Sequence, residues 1–244
     1  MLKNRSIIVT GVGKGLGFDL LNKIIFNGGF VYGVTRSKSD LIKFKGIKNC
    51  KIFLGDVVQS KIIKDVLKQS LKDRRIIHGF VNNAGQRQRK KFNAISKNDI
   101  KSLFNTNFFS IFENMQLYSN YLKKIKKSGS IVNIGSIVGE NGFSELSGYA
   151  STKTALIGLT KSFSVEMANH NIRANLVNPG FVKTSYFDKF KKKKKLYDWT
   201  LSRIPQKRWG EPAEVSNLIC FLLSDLSEYI NGASINIDGG WTGS

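Results

Sequence analysis

Short apolar runs closed by glycine or asparagine alternate along the chain with longer stretches whose apolar residues recur every three or four positions. The first run, residues 6–10 (Ser-Ile-Ile-Val-Thr), ends in glycines and reads as a buried strand. Behind it, residues 16–27 carry helical spacing and stop at Gly28-Gly29. Further strands are predicted at 30–34, 51–54, 79–82, 130–134, 173–177 and 233–237. Between them, 60–71 repeats Ile62, Ile63, Val66, Leu67 and Leu71 on one helical face. Ser96 opens a capping-box pattern, Ser-Lys-Asn-Asp, ahead of a long helix through about residue 121. Helices are also predicted over 148–167 and 211–223, the latter with Pro212 in its first turn. Apolar strands alternating with amphipathic helices demand a parallel sheet covered on both faces. There is no internal repeat or Pro/Gly-rich linker, so residues 1–244 read as one doubly wound α/β domain around a seven-stranded parallel sheet.

The long helix is apolar on more than one side. Phe104, Phe108, Phe109, Ile111, Phe112, Met115 and Leu117 spread around it, and a helix apolar on two sides needs burial on two sides. The expectation is a subunit interface, and hence a homo-oligomer, a dimer or tetramer.

Composition narrows the class. Hydrophobic residues make up 41% of the 244, which excludes disorder. No apolar run reaches the ~20 residues that cross a bilayer, and the first residues lead straight into a strand. No signal peptide, membrane anchor or membrane partner is expected, and the location is read as cytoplasmic. Cys50 and Cys220 are too few for a disulfide framework, and His78 and His170 stand apart, so no metal site is expected.

Chemistry enters at Thr10-Gly11-Val12-Gly13-Lys14-Gly15-Leu16-Gly17, between the first strand and the first helix. Glycines there permit a tight turn and let backbone approach a pyrophosphate at the helix N-terminus. A site specific for NAD places an acid at the end of the second strand, to bind the ribose 2′-hydroxyl. This chain has Thr35-Arg36-Ser37, with Lys14 nearby, so a 2′-phosphate is welcome and NADPH (NADP+) is expected over NADH. Read alone, Arg36 also fits a solvated surface residue.

Further on, Ser136 follows the fifth strand and Tyr149-Ala150-Ser151-Thr152-Lys153 opens the next helix. Tyr and Lys four apart share a helical face, and a nearby cation favours the phenolate. Such a tyrosine can do acid/base work. Tyr-x-x-x-Lys recurs by accident; here it is accompanied by the glycine turn, Asp56, Asn82-Asn83-Ala84-Gly85, Asn107, Ser136, Pro179-Gly180 and Asp238-Gly239-Gly240, in one order and spacing.

Carrying these motifs from about Lys3 to Trp241, the chain resembles the short-chain dehydrogenase/reductases, a Rossmann-type family, and among them 3-oxoacyl-[acyl-carrier-protein] reductases and similar carbonyl or sugar reductases. The resemblance implies reduction of a keto group, with Asn107, Ser136, Tyr149 and Lys153 as the catalytic set. Tyr149 would donate the proton, Lys153 would bind the nicotinamide ribose and hold the Tyr149 pKa down, and Ser136 would bond the substrate carbonyl. Asn107 would kink its helix and hold a water. Asp56 and Val57 would meet the adenine. Asn83, Ala84 and Gly85 would line the cofactor, as would Pro179, Gly180, Val182 and Thr184. A substrate lid is implied at about 181–203. The alternatives are a sugar or surface-glycan precursor dehydrogenase and, in a different class, a catalytically silent dinucleotide-binding protein.

Charge is the remaining feature: 39 Lys and Arg against 17 Asp and Glu give +22. The lysines of 191–195 read as a solvated lid surface, and without interleaved aromatics nucleic acid is not expected. The stretch Gln86-Arg87-Gln88-Arg89-Lys90-Lys91 follows Asn-Asn-Ala-Gly directly and could clasp an anionic small-molecule or carrier-bound keto substrate, through Gln86 and Arg87 above all. Lys126 and Lys127 could receive an acidic carrier, or simply suit a helix end.

Overall fold

The glycine-closed runs do become strands, and all of them run the same way. The structure is a computed structural model that describes residues 1–185 and 187–244. Tyr186, inside the expected lid, lies outside the described residues. Among the described residues seven strands pair in parallel: β1 (Ser6–Thr10), β2 (Phe30–Thr35), β3 (Cys50–Leu54), β4 (Ile77–Asn82), β5 (Gly129–Ile134), β6 (Ile172–Pro179) and β7 (Ser234–Ile237). Their order, β3-β2-β1-β4-β5-β6-β7, reverses direction between β1 and β4. Connections leave that point to opposite sides, so a crevice opens at the carboxyl ends of these two strands.

Eight α-helices among the described residues cover the sheet: α1 (Gly15–Phe26), α2 (Lys61–Lys72), α3 (Lys97–Phe104), α4 (Ser110–Ile125), α5 (Ser147–Met167), α6 (Phe187–Lys191), α7 (Lys194–Arg203) and α8 (Pro212–Leu222). Side chains alternate across each strand. Ile7 and Val9 point to one face, where Leu20, Leu21 and Ile24 of α1 meet Ile219 and Leu222 of α8. Ile8 points to the other, with Ile63 and Val66 of α2, Met115 and Tyr118 of α4 and Leu156 of α5. Continuous apolar runs were needed because both faces are buried.

The long helix expected from Ser96 is not continuous. The capping box forms: Ser96 Oγ accepts from the Asp99 amide at 3.1 Å, and the Asp99 carboxylate accepts from the Ser96 amide at 2.8 Å. The helix then widens into a π turn over Asn105–Phe109 before resuming as α4. Apolar periodicity gives no separate sign of this insertion, because the wide turn falls in a stretch already apolar on more than one side. The outer side retains exposed aromatics, with Phe109 at 51% and Phe112 at 41%. Phe104, Phe108, Phe109 and Phe112 pack edge-on and tilted against one another along this face.

A third apolar cluster lies beyond the strand ends. Phe181, Phe187, Phe190, Tyr197 and Trp209 pack ring against ring, and Trp241 adds Phe143 and Trp199. Trp209 is buried, and its indole N–H donates to Thr200 Oγ1 at 2.8 Å. It anchors α6 and α7, and the five lysines of 191–195 stay exposed where these helices meet. No helix among the described residues is long and apolar enough to cross a membrane.

Candidate active site

The turn after β1 is built from backbone. Gly11 and Gly15 have φ of +74° and +56°, a region costly for residues with a Cβ. A Cβ on Gly17 would overlap the Gly11 carbonyl oxygen. Thr10 is buried and braces β1 to β4: its hydroxyl oxygen accepts from the amides of Asn83 and Ala84, both at 3.0 Å. The Asn83 side chain donates to the Thr10 carbonyl oxygen at 2.9 Å. Thr10 and Asn83 therefore hold the turn against the next strand.

A cleft of about 260 Å³ opens on this turn. Its walls include Gly11, Lys14, Leu16, Gly17, Arg36, Asp56, Val57, Asn83, Ala84, Gly85 and Gln86, all expected at the site, and Thr106, which sequence reasoning missed. Helix α1 has no side-chain cap and no acid in its first turn, leaving its amide end to attract an anion. These features fit a dinucleotide's phosphates. Thr184 stands over Gly15, 3.4 Å from where a Cβ would sit. Pro179 pairs with Ile237, and Gly180 packs on Asp238. Val182 faces elsewhere: it bridges to Gly210 and lines a second cleft with Arg208, Glu211 and Asp238.

One feature of this corner differs from expectation. No acid occupies the end of β2, yet Asp40 folds back to it from the short helical segment Lys38–Phe44, and the Thr35 hydroxyl donates to Asp40 Oδ2 at 2.8 Å. Arg36 is exposed and lies 3.6 Å from Asp56.

Asn107, Ser136, Tyr149 and Lys153 come together beside the cleft. Asn107 sits in the π turn, fully buried. Its Oδ1 accepts from the Gln86 amide and its Nδ2 donates to the Gln86 carbonyl, both at 2.9 Å. Nδ2 also donates to Thr152 Oγ1 at 3.1 Å, and Thr152 in turn donates to the Tyr149 carbonyl oxygen. Thr152 is a link that the sequence concealed inside Tyr-x-x-x-Lys. A Cβ on Gly85 would stand 3.3 Å from Asn107 Oδ1 and 3.9 Å from Lys153 Nζ, so the strand end, the π turn and α5 share one hollow.

The electrostatics depart from the expected scheme. Lys153 is buried, and its Nζ donates to the Ile134 carbonyl oxygen at 2.6 Å. Burial brings its pKa down to about 8. Its ammonium lies over the Tyr149 ring, 5.7 Å from the centroid. Burial raises the Tyr149 pKa; the charge of Arg87 and the hydrogen bond with Ser136 pull it back. The cation that lowers Tyr149 here is Arg87, while Lys153 donates to the Ile134 carbonyl oxygen.

Two other charges of the 86–91 stretch, Arg89 and Lys90, are tied to acids of this chain. Lys90 pairs with Asp99 at 2.7 Å and Arg89 with Glu145 at 3.3 Å, while Gln88 donates to Asp99 at 2.6 Å. Gln86 donates to Ser102. Arg89 and Lys90 are thus drawn away from the group clasp the sequence suggested, and the charge of Arg87 acts on Tyr149. Among the described residues no cluster of three or more His, Cys, Asp or Glu is placed to hold a metal.

Comparison with known proteins agrees with this geometry. A short-chain dehydrogenase family model, described as enoyl-(acyl carrier protein) reductase, matches residues 11–242. The 3-oxoacyl-[acyl-carrier-protein] reductase FabG of Thermotoga maritima is 33% identical over 98% of both chains. The 2-dehydro-3-deoxy-D-gluconate 5-dehydrogenase of Bacillus subtilis is 31% identical over 98% of this chain and 95% of its own. Among solved structures, gluconate 5-dehydrogenase from Burkholderia cenocepacia, in complex with NADP and tartrate, superposes with a TM-score of 0.91 at 26% identity, covering 100% of this chain and 97% of that one. With the family's motifs gathered at one crevice and the match running nearly end to end, the chain belongs to the short-chain dehydrogenase/reductases.

Proposed function

We propose that this chain is an NADPH-dependent oxidoreductase that reduces a keto group to a secondary alcohol, with residues 1–244 working as one domain and about 181–203 as its substrate lid. The observation that carries the reading is the convergence of Asn107, Ser136, Tyr149 and Lys153 on one hollow beside a glycine-built cleft. When bound, the nicotinamide supplies the hydride. Tyr149 gives the proton to the carbonyl oxygen as it gains charge, and the Ser136 hydroxyl donates to the same oxygen. Lys153, steadied by Ile134, holds the ribose hydroxyls. The Asn107 side chain is engaged by Gln86 and Thr152, so it fixes the hollow.

Gly11 to Gly17 hold the pyrophosphate, Lys14 and Arg36 the 2′-phosphate, and Asp56 and Val57 the adenine. Thr184, Pro179 and Gly180 flank the nicotinamide; Val182 supports them from behind. The NADP bound by the Burkholderia relative agrees with this choice. A 3-oxoacyl group on an acidic carrier is the first substrate reading, after the Thermotoga relative, and exposed Lys126 and Lys127 suit such a partner. A sugar acid is the second, favoured by the tartrate complex and by Arg87 next to Tyr149. The exposed face of the π turn and α4, with Phe109 and Phe112, suits a homotetramer in the cytoplasm.

The test follows NADPH consumption by absorbance across acyl thioesters, sugar acids and plain ketones, with NADH alongside. Tyr149→Phe is expected to lose about 10³-fold in turnover and to bind NADP+ as the parent does. Full activity in that variant sinks the mechanism. No turnover by the parent on any keto class would leave a silent binding protein.

A further inference from the structure

An acid at the ribose corner is what normally excludes a 2′-phosphate from a dinucleotide site. Here the sequence puts Arg36 at that position, yet the fold carries a carboxylate to the same corner from Asp40. Segment Lys38–Phe44 doubles back so closely that a Cβ on Gly13 would overlap the Asp40 carboxylate. The Asp40 side chain is only 15% exposed, with Thr35 Oγ1 donating to Oδ2. On its other oxygen sits Lys43: Nζ donates to Asp40 Oδ1 at 2.8 Å and to the Gly13 carbonyl oxygen at 2.7 Å. One ammonium thus ties the carboxylate to the phosphate-binding turn itself. Hydrogen bonds from Lys43 and Thr35 hold the Asp40 carboxyl below its usual range, and the charge of Lys14 adds to them. Asp40 is therefore ionised at neutral pH and lies within the field of the same lysine that is to meet the phosphate.

We propose that Lys43 is a positioning residue for cofactor choice: by masking Asp40 it converts an acid that would reject a 2′-phosphate into a neutral wall, and leaves Lys14 and Arg36 to bind that phosphate. The inference rests on the NADPH reading of the site. The charge count makes the mask necessary. Around this corner stand Lys14, Arg36 and Lys43 against Asp40 and Asp56, and Asp56 already draws on Arg36. Without Lys43 the two acids balance the two remaining cations, and a phosphate of nearly two negative charges meets no net attraction.

Calorimetric titration of the full chain with adenosine 2′,5′-bisphosphate and with 5′-AMP isolates the 2′-phosphate, since both ligands share the adenosine and the 5′-phosphate. The readout is the ratio of the two affinities. Lys43→Gln is expected to lower this ratio about tenfold, Lys43→Arg to keep it, and Asp40→Asn to raise it by about threefold or more, as Lys43 is then released to the ligand. The double variant Asp40→Asn/Lys43→Gln is expected to return to within about threefold of the parent. A ratio unmoved in Lys43→Gln, or an equal loss for both ligands that the double variant does not restore, overturns masking and leaves only a structural staple. The NADPH reading fails separately, if the parent chain itself prefers 5′-AMP; the comparison among variants still decides for or against the mask. Lys43 is 44% exposed, so these variants are expected to fold, and Asp40→Asn provides the second route should one of them not.

Discussion

The two sides of the crevice are made of different materials. On the cofactor side, between β1, β2 and β4, the walls are backbone: glycines with positive φ, a bare helix end, and Thr10 and Asn83 hydrogen-bonded across 73 residues of sequence. On the side proposed for the substrate, Phe143, Phe181, Phe187, Phe190, Tyr197, Trp209 and Trp241 form a cluster of aromatic side chains from four separate segments. Backbone geometry tolerates few residue types, so the first side is written plainly in the sequence. Aromatic packing tolerates many arrangements of similar volume, so the second is not.

Removing a keystone from each side should break the comparison in opposite ways. The largest effect is expected on the aromatic side: Trp209→Ala deletes the ring around which α6 and α7 pack, at a cost of about 3–5 kcal/mol. Urea denaturation should show that loss, and where the fold survives KM for the keto substrate should rise while NADP+ affinity holds. On the cofactor side, Gly17→Ala sets a methyl against the Gly11 carbonyl, costing about 1–3 kcal/mol of overpacking. There the dinucleotide Kd should rise at least tenfold, with substrate KM little changed. Equal damage to both ligands from either change would erase the distinction.

Between the two sides lies α5, and pH sharpens what it does. Arg87 lowers the Tyr149 pKa, so Arg87→Ala should raise it. The rate of alcohol oxidation, which needs the phenolate, should then begin its climb at higher pH than in the parent. An unshifted profile would assign Arg87 to substrate binding alone. The smallest effect concerns Lys153, whose pKa of about 8 in the folded chain lies below its free value of 10.5. Between those values the unfolded chain binds more protons, so this group's contribution to stability rises with pH over that window. Relative to Lys153→Met, measured without dinucleotide, the parent should gain about 1–2 kcal/mol from pH 8 to pH 10.

Much of the frame could be read in advance because it is local. Ser96 announced its capping box, Pro212 its helix start, and the runs 6–10 and 130–134 their strands, each within a residue or so of the observed ends. The interruption at Asn105–Phe109 could not be read from periodicity, since the apolar residues around it already spread over more than one side; only the resemblance marked Asn107 as a kink. Thr152 was hidden because a hydroxyl inside a helix has no signature until its partner arrives from elsewhere. The 86–91 stretch looked like a cationic clasp because its acids, Asp99 and Glu145, lie on other elements.

Resemblance to a family marked Asn107, Ser136, Tyr149 and Lys153; by itself, the sequence determined the alternating strands and helices and the glycine turn. Those follow from periodicity, capping and backbone freedom, which act over a few residues. Tertiary structure alone decided where each charge ends up: Lys153 on Ile134, Arg87 near Tyr149, Asp40 against Gly13 under Lys43. A charge acts through distance and burial, and neither exists until the sheet has brought distant segments together.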